Sequence, residues 1–308
     1  MRPDQTEAAT EVSAHASGTP KPDSNAQPQP WFGSEEQRGL QQRLRSAPKR
    51  ILLLDYDGTL APFHADKMQA TPYPGVETLL SRLRRLPAVR LVLVTGRRAS
   101  DLERLIGIAR YLEIWGSHGR EHLAEDRKYT FYPPTEDQSR ALQALQKGIE
   151  ASLDGVPLRL DTTHLSIQTH HPSGNVEVPE PLERKPASIA IHWRGLAPES
   201  QLQLQETAEA EYTRLGSSSI ERLPFASGVE FRAAGYTKAF AVDRILEQSQ
   251  PNDAVAYLGD DLTDEDAFAA VQSKGISMLV LSEPRSSNAR FWIQPPEDLL
   301  RFLEEWGA

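Results

Sequence analysis

Four short segments carry side chains that could act together on a phosphate ester. Asp55-Tyr-Asp57-Gly58-Thr59 sets two carboxylates two residues apart. Thr95-Gly96-Arg97 offers a hydroxyl, a backbone without Cβ and a guanidinium. Lys238 opens a predicted helix, and Gly259-Asp260-Asp261-Leu-Thr-Asp264 supplies three more acids. A carboxylate can attack phosphorus and form an acyl phosphate. Clustered aspartate oxygens can hold Mg²⁺, which keeps some waters and also takes a phosphate oxygen. A hydroxyl and a lysine can neutralise the equatorial oxygens, where electrostatic stabilisation does most of the catalytic work. A second carboxylate can protonate the leaving alkoxide and then activate water. Taken singly, these segments also read as turns, a solvated lysine and an acidic helix start. Together and in order, each at a predicted strand end or helix start, they favour the chemistry.

The elements that must position them are legible from periodicity. Residues 50–55 form an all-aliphatic run closed by an acid, which predicts a buried parallel strand ending at a site. Val76, Leu79, Leu80, Leu83 and Leu86 share one helical face. A second strand is expected over 89–95, a helix over 99–106 and a short strand over 113–115. This alternation predicts an α/β fold with a doubly wound, Rossmann-like parallel sheet. Ligands bind beyond the C-terminal ends of such strands, so all four segments converge on one crevice.

The middle differs. Strand-like pieces over 128–132, 165–169, 188–193 and 229–231 alternate less regularly with helical pieces over 138–153 and 199–214. That pattern favours an antiparallel α+β unit. Alternation returns after 233, with helices over 238–248, 265–272 and 296–306 and strands over 254–258 and 277–281. The expected organisation is a core over 34–118 and 233–308, an inserted α+β domain over 119–232, and a disordered tail over 1–33. The tail is rich in Pro, Ser, Thr, Ala, Gln and Asp.

Composition narrows the partners. The 308 residues carry a formal charge of −9. So acidic a chain is poorly suited to nucleic acid or an anionic membrane, while a bound cation still permits an anionic substrate. The absence of cysteine excludes disulfides, thiolate metal sites and a cysteine nucleophile. Residues 1–30 lack the apolar stretch of a secretory signal, and no apolar run is long enough to span a bilayer. The expectation is a cytoplasmic monomer acting on a small molecule.

In type and order the four segments resemble the motifs of the haloacid dehalogenase superfamily. That resemblance implies Asp55 as nucleophile and Asp57 as general acid/base. It implies Thr95, Gly96 and Lys238 as phosphoryl ligands. Mg²⁺ would be held by Asp55, Asp260 and the carbonyl of Asp57, with Asp261 or Asp264 completing or orienting the shell. The insertion lies where that superfamily carries a cap domain that closes over the core and selects substrate. Asp55-Tyr-Asp-Gly-Thr-Leu-Ala-Pro62, Gly116-Ser-His118-Gly119-Arg-Glu121, Lys185…His192-Trp-Arg194, Glu230-Phe-Arg232 and the run from Gly259 to Phe268 are similar to trehalose-6-phosphate phosphatases. The similarity implies a sugar phosphate substrate, with Arg97, His118, Glu121, Lys185, Arg194 and Glu230 in the substrate site. Such groups can read hydroxyls through directional hydrogen bonds. His192 is expected to pack instead.

The sequence departs from that pattern at Thr95, where serine is common, and at Ala239, where glycine is frequent. Neither disturbs the phosphatase chemistry. The loop over 169–185 is long and proline-rich and could alter the pocket. Two rival readings remain at this point. One is a glucosyl- or mannosyl-3-phosphoglycerate, whose carboxylate would need an extra cation from Arg120, Lys185 or Arg194. The other is a phospho-accepting regulatory module, which Asp57 and the large insertion disfavour.

Overall fold

The computed structural model describes residues 27–64, 67–161, 180–225 and 227–308. The chain enters through β1 (Gln29–Pro30) and α1 (Glu35–Ser46). Ser34 Oγ accepts the Gln37 N–H and caps α1, with Glu35 and Glu36 suited to its positive end. The aliphatic run becomes β2 (Arg50–Leu54). Leu52 and Leu54 join one apolar cluster and Ile51 and Leu53 another, so both faces of the strand are covered. Next come α2 (Val76–Leu83), β3 (Val89–Val94), α3 (Ala99–Leu105), β4 (Glu113–Gly116), β5 (Glu121–Leu123) and β6 (Tyr129–Phe131). The inserted unit runs through α4 (Glu136–Leu153), β7 (Leu182–Lys185), β8 (Ser188–His192), α5 (Pro198–Leu215), β9 (Ile220–Phe225) and β10 (Gly228–Ala233). The chain then returns through α6 (Lys238–Glu247), β11 (Ala254–Gly259), α7 (Glu265–Val271), β12 (Ile276–Val280), β13 (Phe291–Ile293) and α8 (Glu297–Trp306).

The core sheet has the order β1-β13-β12-β11-β2-β3-β4-β5-β6. It is parallel from β1 to β4 and antiparallel across β4, β5 and β6. The second sheet is antiparallel, β7-β8-β10-β9. Leu142, Leu145 and Ile149 of α4 and Leu204 and Ala208 of α5 pack against Ile189, Ile191, Val229 and Phe231. Strand residues alternate between faces. Glu183, Ala190, Glu230 and Leu223 lie side by side in register and so face away from those helices. No helix among the described residues is long and apolar enough to cross a membrane.

Two expected boundaries move. The folded chain begins before residue 34: β1 pairs with β13, and Trp31 is fully buried, edge-on to Phe291 and Phe302. The polar composition of 1–33 masked this one aromatic anchor; residues 1–26 lie outside the described residues. The core also extends past 119, because β5 and β6 join its sheet and Leu123 packs into its core. Three-residue strands are too short to show a period, so the expected piece over 128–132 looked like part of the insertion. The expected strand over 165–169, and 169–179 of the proline-rich loop, lie outside the described residues.

Candidate active site

Three neighbouring strands deliver the core residues. Asp55 follows β2, Thr95 follows β3 and Asp260 follows β11, and β2 pairs with both β3 and β11. Asp55 is buried, and Lys238 Nζ lies 2.9 Å from its Oδ1. The same ammonium donates to Asp264 Oδ1 at 2.8 Å. Asp264 accepts three further hydrogen bonds: the Tyr257 hydroxyl at 2.5 Å, and the backbone N–H groups of Asp260 at 3.2 Å and Asp261 at 3.0 Å. Four donors fill the acceptor positions of one carboxylate. Thr59 Oγ1 donates to Asp260 Oδ1 at 3.2 Å. Gly58 has φ +82°, and a Cβ there would lie 1.9 Å from Asp260 Oδ2. Only glycine lets these two acidic loops touch.

Oxygens of Asp55, Asp260 and Asp264 lie within 4.8 Å of one another. Burial pushes the Asp55 carboxyl up to about 7, against the pull of Lys238. Burial, then Asp55 and Asp264, raise Asp260 well above the carboxylate range. Burial alone would lower Lys238, but Asp264 and Asp55 more than offset it and hold the ammonium above its ordinary value. Ionised together, three carboxylates facing one ammonium would leave an excess of negative charge, which adds to burial in raising Asp55 and Asp260. The donors are all hard oxygens, so the cluster fits a divalent cation.

Asp57 stands further out. Both its oxygens lie 2.5 Å from the Arg97 guanidinium, in a two-pronged pair. That guanidinium sits 5.6 Å over the Tyr56 ring. Thr95 is buried, and its Oγ1 accepts the Arg97 N–H at 3.1 Å. His118 lies against Gly96, where a Cβ would be 2.6 Å from His118 Nε2. Ser117 and His118 both have positive φ, 49° and 54°, a costly conformation for residues with side chains.

The inserted unit supplies the opposite wall. Glu230 Oε1 accepts Lys185 Nζ at 3.0 Å and Ser188 Oγ at 2.5 Å, and Glu230 Oε2 lies 3.8 Å from His118 Nε2. Burial would raise the Glu230 carboxyl, but Lys185 and His118 outweigh it and hold it well below its usual value. Arg194 Nη1 donates to the His64 carbonyl at 3.1 Å, joining the inserted unit to the core. Between the walls lies a cleft of about 1040 Å³. Asp55, Asp57, Arg97 and Lys238 line it from the core, and Glu183, Lys185, Arg194 and Glu230 from the insertion. The structure thus brings most of the expected residues together.

Among the residues expected in the substrate site, Glu121 is the exception. It is buried in β5 and does not line the cleft; its Oε2 accepts the Ala99 N–H at 3.0 Å and its Oε1 the Ser117 hydroxyl at 2.8 Å. It caps α3 and braces the strained turn that carries His118. A strand of the core sheet, rather than of the insertion, holds it, which is why it faces inward. His192, expected to pack, lines the cleft, with Nε2 3.0 Å from Glu183 Oε2. Glu183 was missed although it stands two residues before Lys185, on the same strand face. Tyr257 was signalled by a lone hydroxyl in an aliphatic strand. Arg285 gave no signal; it donates to the Asp260 carbonyl at 3.1 Å and to Glu265 at 2.5 Å, fixing the acidic loop.

The profile of the trehalose-phosphatase family matches residues 53–153 and 180–295. The chain belongs to that family. Every core motif and both walls of the cleft fall inside the matched residues of this trehalose-phosphatase family member. It is 29% identical over 273 residues to a bifunctional trehalose-6-phosphate synthase/phosphatase of Thermoproteus tenax, covering 86% of this chain and 33% of that protein. It is 26% identical over 265 residues to a trehalose-phosphate phosphatase of Mycobacterium marinum, covering 83% and 61%. The chain therefore spans less than two thirds of the length of either relative. The C-terminal domain of a C. albicans trehalose-6-phosphate phosphatase shares the fold, with TM-score 0.68 at 19% identity over 92% of this chain and 98% of that one.

Proposed function

We propose that this family member hydrolyses trehalose 6-phosphate, with Mg²⁺, through a phosphorylated Asp55. The observation that carries the reading is the shared cleft. One wall presents a nucleophile, an acid and an ammonium, and the other a row of hydroxyl-reading groups.

In the first step an Asp55 oxygen attacks phosphorus and the bond from phosphorus to the sugar oxygen breaks. Asp57, released from Arg97 and protonated, gives that proton to the leaving oxygen. In the second step Asp57 takes a proton from water, whose oxygen attacks phosphorus, and the bond to Asp55 breaks. Phosphate leaves, and Asp57 ends with the proton it began with. Arg97 holds Asp57 at the mouth of the cleft, and the pair must loosen for each transfer. Lys238 holds Asp55 and faces the phosphoryl oxygens. Asp55, Asp260, Asp261 and the carbonyl of Asp57 would hold Mg²⁺, which supplies charge neutralisation when bound. Asp264, with its acceptor positions filled, orients Lys238 and the 260–261 backbone instead.

The cations weighed for a glycerate carboxylate are each engaged. Arg120 donates to three backbone carbonyls, Lys185 to Glu230 and Arg194 to the His64 carbonyl. That favours an uncharged polyol as leaving group.

The test is phosphate release with Mg²⁺ from trehalose 6-phosphate, glucose 6-phosphate, the two glycosyl-3-phosphoglycerates and an aryl phosphate. Preference for trehalose 6-phosphate is expected. Release from the aryl phosphate alone would keep the core chemistry and reject the substrate.

A further inference from the structure

We propose that Arg120 is a positioning residue that fixes the inserted cap over the core and so sets the sugar-dependent part of turnover. The inference rests on the phosphatase reading above.

Arg120 belongs to the core, at the bend before β5, and is almost fully buried. The chain crosses to the cap over 132–135 and returns over 233–237. Arg120 grips the outgoing crossing twice: its carbonyl accepts the Tyr132 N–H at 2.8 Å, and its Nη1 donates to the Tyr132 carbonyl at 3.0 Å. Its Nη2 grips the return crossing, donating to the carbonyls of Ala233 at 3.0 Å and Ala234 at 3.1 Å. Gln138, in the first turn of cap helix α4, donates to the same Ala234 carbonyl at 3.0 Å. The guanidinium lies 4.3 Å over the Tyr236 ring, and Tyr236 packs on Tyr132 and Phe240.

One side chain therefore ties both crossings to each other and to the start of α6, which carries Lys238. Burial draws the guanidinium down to about 10, which leaves it charged at neutral pH. A buried cation is a costly way to pack a linker. Its planar fork is what reaches carbonyls of two chain segments at once, and an ammonium lacks that shape. The lever is short. Glu230 stands three residues before Ala233 on the same strand, so a rotation at the clamp shifts Glu230 against Asp55. A misplacement of about 1 Å can cost about 100-fold in rate.

The experiment compares wild type, Arg120→Met and Arg120→Lys in the full chain. It reads kcat/KM with trehalose 6-phosphate and with an aryl phosphate, which needs no cap contact. Arg120→Met is expected to lose about 30- to 100-fold with the sugar phosphate while staying within about threefold with the aryl phosphate. Arg120→Lys is expected to recover little of that loss. Equal losses with both substrates, or none with the sugar phosphate, would overturn the inference. Should Arg120→Met lack a thermal unfolding transition, Gln138→Ala removes one donor from the same carbonyl. It is expected to lose about three- to tenfold with the sugar phosphate only; no selective loss would overturn the inference. A second readout needs no substrate. Amide exchange at Tyr132, Thr135 and 233–237 should quicken about tenfold or more in Arg120→Met, with β2 and β11 unchanged. Unchanged exchange at the crossings would defeat the clamp, whereas wild-type failure on every sugar phosphate would defeat only the functional reading.

Discussion

Lys238 and Lys185 each hold a carboxylate, one in the core and one in the cap, and their surroundings differ. Lys238 keeps only 3% of its side chain exposed, where it lines the cleft, and bonds two aspartates, one of which has three other fixed donors. Lys185 keeps 17% of its side chain exposed, at the wall of the cleft, and bonds Glu230. The buried cluster cannot rearrange without stranding a charge, which suits chemistry common to any phosphate ester. The cap pair can exchange a partner for a hydroxyl, which suits recognition of one leaving group. Core lesions should therefore damage every substrate, and cap lesions only the sugar.

The sharpest break is Asp55→Asn. An amide is a poor nucleophile, so turnover of both trehalose 6-phosphate and an aryl phosphate should fall at least about 10⁴-fold. Retained single-turnover hydrolysis would rule out the covalent route. Asp264→Asn comes next, with an expected loss of about 100-fold on both substrates, since Lys238 and the 260–261 backbone lose their anchor. A loss confined to the sugar substrate would place Asp264 in recognition instead. Glu230→Ala should raise KM for trehalose 6-phosphate about 30-fold and leave the aryl phosphate nearly unchanged. Equal effects would erase the distinction between the walls.

The smallest effect is on stability. The Asp55 carboxyl is pushed up to about 7 in the folded chain from an ordinary 3.8. The folded chain thus holds that proton more tightly than the unfolded one, and cation-free stability falls as pH rises from about 4 to about 7. Mg²⁺ replaces the proton only where the carboxylates are ionised. It should raise the melting midpoint by a few degrees at about pH 8 and by less at about pH 5. Equal shifts at both pH values would detach the cation from the aspartate cluster.

The core was legible because each motif acid ends an aliphatic strand, and parallel strands put such ends on one edge. Asp55, Thr95 and Asp260 came straight from that rule. The rest needed tertiary pairing. Glu121 looked like a cap residue until β5 turned it into the core sheet. Glu183 carried the right spacing from Lys185 but no motif of its own. Arg120 could be seen only as a cation, since the carbonyls it holds lie on segments about 12 and 113 residues away.

The close contact at Gly58 bears on the order of assembly. Asp55 and Asp260 meet because β2 pairs with β11, across about 200 residues that contain the entire cap. Contacts of that separation carry a large loop-closure cost and form late. During synthesis β2 can pair with β3 and the cap can form its own short-range pairings, while Asp55 waits for β11 to bring Asp260 beside it. The aspartate cluster then exists only once the last quarter of the chain has docked, so a partly made molecule has the cap wall of the cleft and an incomplete acidic wall.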